Sequence, residues 1–180
     1  MIIQVIFLNG ASSSGKTSIA RCLQTKLTTP WLRLGIDDLI RAMPDKGIED
    51  GSLLSVSQAG LAEVGPGWLA LETSWYIGVA SIAASGTGVI VDEVLLDGGA
   101  SQERLRTAFS GLEVFWVGVK CDGEVARARE ALRPDRVPGM AESQAAVVHE
   151  GVAYDLIVDT SKATSMSCAS KILAKTLTVA

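Results

Sequence analysis

An apolar segment followed at once by a glycine- and serine-rich turn is the feature that most restricts how this chain can fold. Residues Ile2 to Leu8 form a β-branched run, and residues 10–17 read GASSSGKT, which fits Gly-x-x-x-x-Gly-Lys followed by Ser or Thr. The next segment, SIARCLQTKL, has helical character. In such a strand–loop–helix unit, backbone N–H groups of the loop surround phosphate oxygens at the helix N-terminus. The pattern therefore predicts a phosphate-binding loop.

The residue types in this loop match that chemistry. Gly10 and Gly15 allow backbone torsions and close approaches that a Cβ would block. Lys16 is expected to reach the β- and γ-phosphates, and Thr17 to bind Mg²⁺ through its hydroxyl, so the predicted cofactors are ATP and Mg²⁺. The predicted nucleotide-binding residues are Gly10, Ala11, Ser12, Ser13, Ser14, Gly15, Lys16, Thr17 and Ser18. A polar turn that only caps a helix is the alternative.

The rest of the chain alternates short apolar runs with helical stretches. The predicted strands are Ile2 to Leu8, Trp31 to Ile36, Gly88 to Val94, Glu113 to Val119 and Tyr154 to Val158. The predicted helices lie near residues 16–27, 67–85, 100–110, 123–132, 140–149 and 163–177. Strands that are apolar on both faces and separated by helices predict an α/β fold with a parallel sheet covered on both sides. Ligands of such sheets bind at the carboxyl ends of the strands.

Composition limits the partners. A chain of 180 residues corresponds to one domain, and its net charge of −4 with no Lys/Arg run argues against a nucleic-acid partner. No apolar stretch is long enough to cross a membrane, and we expect no export leader at the N-terminus. The three cysteines are odd in number and widely spaced, which predicts free thiols in a reducing cytoplasm. The sequence leaves the oligomeric state open.

Carboxylates follow two of the predicted strands. In VIVDEV, Asp92 is expected to orient the Mg²⁺ shell, with Glu93 a weaker candidate, although helix caps or solvated turns would also explain both. In LRLGIDDLIRAM, a carboxylate could accept the proton of a hydroxyl that attacks the γ-phosphate. Asp38 could instead cap the helix predicted from Leu39 onward. We interpret one aspartate as catalytic and one as structural, with two structural aspartates as the alternative.

The segment RAREALRPDRVPGM is rich in arginine and contains two prolines. Guanidinium groups on a short lid would neutralise charge on the transferring phosphoryl group, and Arg133 and Arg136 are the candidates because they flank a proline. For Arg127, an exposed helix with pairing to Glu124 and Glu130 is the structural alternative.

Four large apolar side chains recur at helical spacing in GWLALETSWY: Trp68, Leu71, Trp75 and Tyr76. They could line an apolar acceptor pocket, but core packing is the simpler explanation for each one. Glu72, which lies among them, could orient an acceptor hydroxyl or face water. His149, the single histidine, is expected to be a helix-end cation or a hydrogen-bonded surface residue rather than a catalyst.

Together, NGASSSGKT, LGIDDL, VDEVLL, WVGVKCDG, RPDRVPGM, VVHEG and YDLIVDT resemble the chloramphenicol phosphotransferase family along most of the chain. The resemblance implies a doubly wound parallel five-stranded sheet of P-loop kinase type. It also implies that the γ-phosphate of ATP is moved to a hydroxyl of an antibiotic-like small molecule. The family's general base would be Asp37, its phosphate-binding lysine Lys16 and its lid arginines Arg133 and Arg136. VDTS, residues 158–161, would approach the adenine ring.

The expected organisation is one P-loop kinase domain over residues 1–180 with two specialised segments. Residues 44–66, rich in Gly, Ser, Asp and Glu, are expected to form a substrate lobe, and residues 133–139 a short lid. A surface insertion without a role is the alternative for residues 44–66. The resemblance is weakest over residues 46–64, so the chemistry is better predicted than the acceptor.

Overall fold

The computed structural model describes residues 2–56, 62–132 and 139–179. In chain order the elements are β1 (Val5–Asn9), α1 (Lys16–Lys26), β2 (Trp31–Gly35), α2 (Ile36–Ala42), α3 (Asp45–Glu49), β3 (Leu54–Val56), β4 (Ala62–Val64), α4 (Trp68–Ala84), β5 (Gly88–Glu93), α5 (Gly99–Ala108), β6 (Val114–Lys120), α6 (Gly123–Ala131), α7 (Met140–Val147), β7 (Leu156–Asp159) and α8 (Ser165–Val179).

The five predicted strands form one parallel sheet in the order β2-β5-β1-β6-β7. This confirms the predicted α/β fold of P-loop kinase type. Because β2 and β5 lie on one side of β1 and β6 and β7 on the other, the loop after β1 opens at the centre of the sheet edge. That position is where ligands of open parallel sheets bind.

Side chains of β1 alternate between two apolar cores, one on each face of the sheet. Ile6 and Leu8 pack with residues of α1 and α8, whereas Val5 and Phe7 pack with residues of α4 and α5. Side chains of a strand alternate between faces, so a strand buried on both sides reads as a continuous apolar run. This explains why the apolar run at the N-terminus predicts a central strand.

A third apolar cluster, formed by α2, the start of α4 and residues 53–54, packs against residues 44–66. Leu39, Met43 and Trp68 are buried there, with Leu53 and Leu54 packed against them. The described part of residues 44–66 contains α3 and the antiparallel β3–β4 pair, elements that the polar composition did not predict. Their few apolar side chains reach this cluster, which explains local order in a polar segment.

Several element bounds differ from the predictions. The first strand begins at Val5 rather than Ile2, which is 83% exposed. The helix expected from Leu39 begins three residues earlier, at Ile36, so Asp37 and Asp38 lie in its first turn. α7 ends at Val147, so His149 lies beyond the helix and not at its end. In the described segments, no helix is both long enough and apolar enough to cross a membrane.

Candidate active site

A cavity of about 960 Å³ lies at the carboxyl ends of β1, β2 and β5. The phosphate loop forms its centre. On one side its walls are α2, the β3–β4 pair, the start of α4, residues 92–97 and α5. On the other side they are Arg129, Met140, Gln144 and Ser165. The cavity therefore combines a polar loop at a helix N-terminus with a region, called the chamber below, where apolar and carboxyl side chains of α2, the β3–β4 pair, α4 and residues 92–97 meet.

The loop after β1 has the backbone that its glycines and serines predict. Ser13 and Gly15 adopt positive φ values of 57° and 91°, in the left-handed region. At Gly10, a Cβ would collide with the Val119 carbonyl of β6 and lie 2.8 Å from the Ser14 hydroxyl. Gly10 therefore lets the loop turn directly over the sheet edge.

Lys16 is buried at the start of α1, and its Nζ donates to the carbonyls of Gly10 and Ala11 at 2.8 and 2.9 Å. The hydroxyls of Ser12, Ser13 and Ser14 are also buried, and no hydrogen-bond partner lies near them among the described residues. Buried hydroxyls beside the N–H groups of a helix start are suited to phosphate oxygens. The loop thus fits the phosphates of a nucleotide.

Thr17 and Asp92, the two predicted metal ligands, are in contact. The Thr17 hydroxyl donates to Asp92 Oδ2 at 2.7 Å, and Arg33 lies 3.7 Å from the same carboxylate oxygen. Across the described residues, His, Cys, Asp and Glu form no cluster of three that could hold a metal. One hydroxyl and one carboxylate fit Mg²⁺, which takes few protein ligands and completes its shell with phosphate oxygens and water.

The adjacent aspartates have different surroundings. Asp38 accepts a hydrogen bond from the Gly35 N–H at 3.0 Å and forms ion pairs with Arg33 at 3.6 Å and Arg41 at 2.6 Å. This is a structural role, because it fixes the entry to α2. Asp37 lines the cavity together with Lys16. The structure thus brings Asp37, and not Asp38, to the chamber.

Glu93 ends β5 and is 3% exposed. Its Oε1 accepts the Val94 N–H at 2.8 Å, and burial raises the pKa of its carboxyl to about 8. Glu72 of α4 also lines the cavity, and its pKa is raised by burial and opposed by the charge of Arg104. Glu72 therefore does not simply face water.

Among the cavity residues that sequence reasoning did not single out, two contact the phosphate loop or its neighbours. Arg129 donates to the Thr160 hydroxyl and carbonyl at 3.0 and 2.8 Å, and that hydroxyl donates to Ser14 O at 2.7 Å. Gln144 Oε1 accepts the Ser12 N–H at 2.7 Å. Arg129 stands among other charged residues of α6, and Gln144 has no local signal at all, so only the tertiary fold reveals either one.

Arg133 and Arg136, and with them all of the predicted lid except Gly139, fall outside the described residues. Glu130, at the end of α6, connects the two sides of the predicted lid. Its carboxylate accepts hydrogen bonds from the N–H groups of Gly139 and Ala141, each at 2.8 Å. Glu130 is 5% exposed, so the exposed pairing with Arg127 is wrong for this glutamate. Thr160 of the VDTS segment contacts the loop through Ser14.

Among the four apolar residues at the start of α4, Trp68 lines the cavity. Leu71, Trp75 and Tyr76 pack into the apolar clusters, as the core explanation predicts. His149 is half-buried, and its Nδ1 lies 2.7 Å from the Tyr154 hydroxyl. Burial lowers the pKa of His149, and its contact with Tyr154 fits the hydrogen-bonded alternative better than a helix-end cation.

Solved structures share this fold. A sugar kinase from Janibacter sp. superposes with a TM-score of 0.68 at 16% identity, covering 96% of this chain and 93% of the kinase. The Mycobacterium tuberculosis APS kinase in complex with AMPPNP and APS gives 0.63 at 14% identity, with 97% of each chain covered.

A relative of higher sequence identity is a protein named as an O-phosphotransferase in two Mycobacterium tuberculosis strains, H37Rv and CDC 1551. It is 34% identical over 173 residues, covering 87% of this chain and 75% of the relative. The model of the chloramphenicol phosphotransferase-like protein family matches residues 3–177. With the phosphate loop, Asp37 and the kinase fold in place, this chain belongs to the chloramphenicol phosphotransferase-like family and is an enzyme of the kinase type.

Proposed function

We propose that this enzyme moves the γ-phosphate of ATP to a hydroxyl of a small antibiotic-like alcohol of the chloramphenicol type, conferring resistance or self-protection. The observation that carries the proposal is the position of Asp37, which lines one cavity with the phosphate loop and with an apolar chamber. A base, a donor site and room for an amphipathic alcohol are what the reaction needs.

In this proposal Asp37 is the general base. Its carboxylate takes the proton of the acceptor hydroxyl while the hydroxyl oxygen forms a bond to the γ-phosphorus. The bond from that phosphorus to the β,γ-bridging oxygen breaks, and ADP leaves. A carboxylate has this role in kinase chemistry generally.

The remaining roles follow the chemistry of each side chain. Residues 10–18 hold the nucleotide, and Lys16, Arg133 and Arg136 neutralise charge that develops on the phosphoryl group. Thr17 and Asp92 would hold Mg²⁺, which would supply positive charge to offset the negative charge of the phosphates. Residues 44–66 and 133–139 are proposed as the substrate lobe and the lid, with residues 158–161 near the adenine ring.

We place the reaction in the cytoplasm, which supplies ATP. Cys22, Cys121 and Cys168 are free thiols, as a reducing compartment allows.

Mass spectrometry of candidate antibiotics incubated with the protein, Mg²⁺ and ATP tests the proposal. The expected result is a gain of one phosphate on a chloramphenicol-like alcohol. Transfer to gluconate or a nucleoside, with none to any antibiotic, would contradict the acceptor class and favour a kinase of ordinary metabolites. Slow ATP hydrolysis without any phosphorylated product would contradict the reaction itself.

A further inference from the structure

Glu93 is the buried polar group that the proposed reaction leaves without a task. Val89 and Val91 pack against α4 and α5, and because strand side chains alternate, Glu93 points to the same face. It lines the cavity there and lies near Glu72, Asp37 and Lys16, whose charges all act on it. Glu93 therefore sits where the chamber meets the phosphate loop.

One oxygen of this carboxyl has a partner and the other does not. Oε1 accepts the Val94 N–H, whereas Oε2 is fully buried and no hydrogen-bond donor lies near it in the described part of the chain. A buried polar atom without a partner costs free energy, and such groups in native proteins are commonly satisfied by a ligand or water.

Charges around the chamber are mainly negative. Asp37, Glu72 and Asp97 line it, whereas the cations on this side are Lys16, which is bonded to the Gly10 and Ala11 carbonyls, and Arg104. Arg104 is already bound to Asp97 at 3.0 Å and to the Ser101 hydroxyl at 3.0 Å. A carboxylate or phosphate on the acceptor would meet repulsion here without a free cation from the described residues to offset it.

We propose that Glu93 binds the acceptor through Oε2, beside the hydroxyl that faces Asp37, and that the carboxylates of Asp37, Glu72 and Asp97 restrict the chamber to uncharged or cationic alcohols. This inference rests on the proposed function and adds the residue that selects the acceptor. Glu93 is a specificity residue here, since it holds the acceptor and takes no part in bond breaking.

Four probes built on 2-amino-1-(4-nitrophenyl)propane-1,3-diol isolate acceptor charge. They are chloramphenicol, the free amine, the N-succinyl amide and the N-(4-methylpentanoyl) amide, which has the shape of the succinyl compound without its charge. We expect kcat/KM for the N-succinyl compound to be at least about tenfold below that of its uncharged isostere. Equal or faster transfer to the N-succinyl compound would overturn the inference.

Variants at Glu93 test the residue. Glu93→Ala should raise the KM for chloramphenicol about tenfold, the loss expected for one hydrogen bond, while the KM for ATP stays within about twofold. Glu93→Gln, which keeps the shape and a polar atom at Oε2, should restore most of the affinity. The matched control is Glu103→Gln, an exposed carboxylate on α5 outside the cavity. A Glu93→Ala enzyme that behaves like this control would refute the assignment.

Calorimetry separates this inference from the proposed function. The AMPPNP-loaded enzyme is titrated with the same probes, and thermal unfolding checks that each variant is folded. If no probe gains phosphate, the proposed function fails for this acceptor class, yet tighter binding of the isostere to the wild type than to Glu93→Ala, together with weaker binding of the N-succinyl compound than of the isostere, would still support the inference. Without the loss of binding in Glu93→Ala, or without the preference for the isostere, the inference fails whatever the outcome for transfer.

Discussion

The two sides of the cavity are built in opposite ways. The loop at the centre of the nucleotide side comes from one contiguous segment, residues 9–18, and Lys16 holds it closed through bonds to carbonyls five and six positions earlier. The acceptor side is assembled from α2, the β3–β4 pair, α4 and α5, whose apolar residues pack in two separate clusters. The loop is therefore fixed mainly by local geometry and the acceptor side by tertiary packing.

This difference divides the chemistry as well. The nucleotide side presents backbone N–H groups, hydroxyls and one lysine, whereas the acceptor side presents apolar walls and carboxyl groups. Substitutions on the acceptor side should change what is phosphorylated while the phosphate loop stays intact. The same fold can then serve different acceptors, since function resides in the site rather than in the fold.

The largest expected effect is at the residue where the two sides meet. Asp37→Asn keeps the shape of the side chain but removes the base, so kcat should fall about 10²- to 10⁴-fold while ATP affinity changes little. Steady-state kinetics with chloramphenicol and an AMPPNP titration measure the two quantities.

Glu103→Gln is the control for this change, because Glu103 is exposed on α5 and does not line the cavity. Turnover in Asp37→Asn equal to that of Glu103→Gln would remove the base assignment. A parallel loss of AMPPNP binding would show that Asp37 belongs to the nucleotide side instead.

Gly10→Ala should affect the nucleotide side alone. The added Cβ would overlap the Val119 carbonyl, and forced overpacking of this kind costs about 1–3 kcal/mol of unfolding free energy. Gly78→Ala is the opposite case, because nothing lies within 4 Å of its Cβ position on the exposed face of α4. Replacing this helical glycine should raise stability by up to about 1 kcal/mol. Urea unfolding of both variants checks the signs, and two changes of equal sign would contradict the geometry at Gly10.

The same contrast decides what the sequence could predict. The loop from Gly10 to Thr17 follows from spacing, because its function depends on neighbouring residues and on the strand and helix that flank them. Asp37 follows because strands of a parallel sheet end at one edge. Gln144, in contrast, meets Ser12 across 132 positions, and no local pattern encodes that contact.

Two features of the acceptor side could not be predicted from local sequence either: the order within residues 44–66 and the burial of Glu93. Residues 44–66 looked like a loop because burial of Leu53 and Leu54 depends on α2 and α4, which no local pattern brings together. From the sequence, Glu93 is a weaker candidate for the Mg²⁺ shell. The alternation of side chains along a strand does not say whether a carboxylate at its end faces water or a closed cavity. Its burial is a tertiary property.

Leu69→Ala tests the acceptor side with a smaller effect. Leu69 is 52% exposed in the first turn of α4 and lines the cavity, so its loss should not disturb the core. An apolar acceptor that covers part of this side chain loses contact area, and its KM should rise about threefold to tenfold while the KM for ATP stays constant. Ile77→Ala, 53% exposed on the same helix and outside the cavity, is the control. A rise in the KM for ATP alone in Leu69→Ala would reverse the assignment of the two sides.

The smallest effect concerns stability on the nucleotide side. Asn9, at the end of β1, accepts the Leu95 N–H and donates to the Tyr154 oxygen, which lies 2.7 Å from His149 Nδ1. A Tyr154 hydroxyl that receives the Asn9 bond can donate its own proton to His149 Nδ1. Burial raises the pKa of Tyr154 to about 12, which keeps this donor protonated. Only a neutral imidazole can accept that bond.

Burial, aided by the positive charges of Lys120 and Lys16, lowers the pKa of His149 below its ordinary value. Near pH 6 the unfolded chain therefore binds more protons than the folded one, and stability rises with pH in this range. The contribution of His149 is present above about pH 6.5, the ordinary histidine pKa, and is lost as the pH falls through the lowered folded value. Unfolding of the wild type and of His149→Gln between pH 7.5 and 5 measures it. The stability of the wild type relative to the variant should decline toward acid, and a constant difference would contradict a neutral His149 in this network.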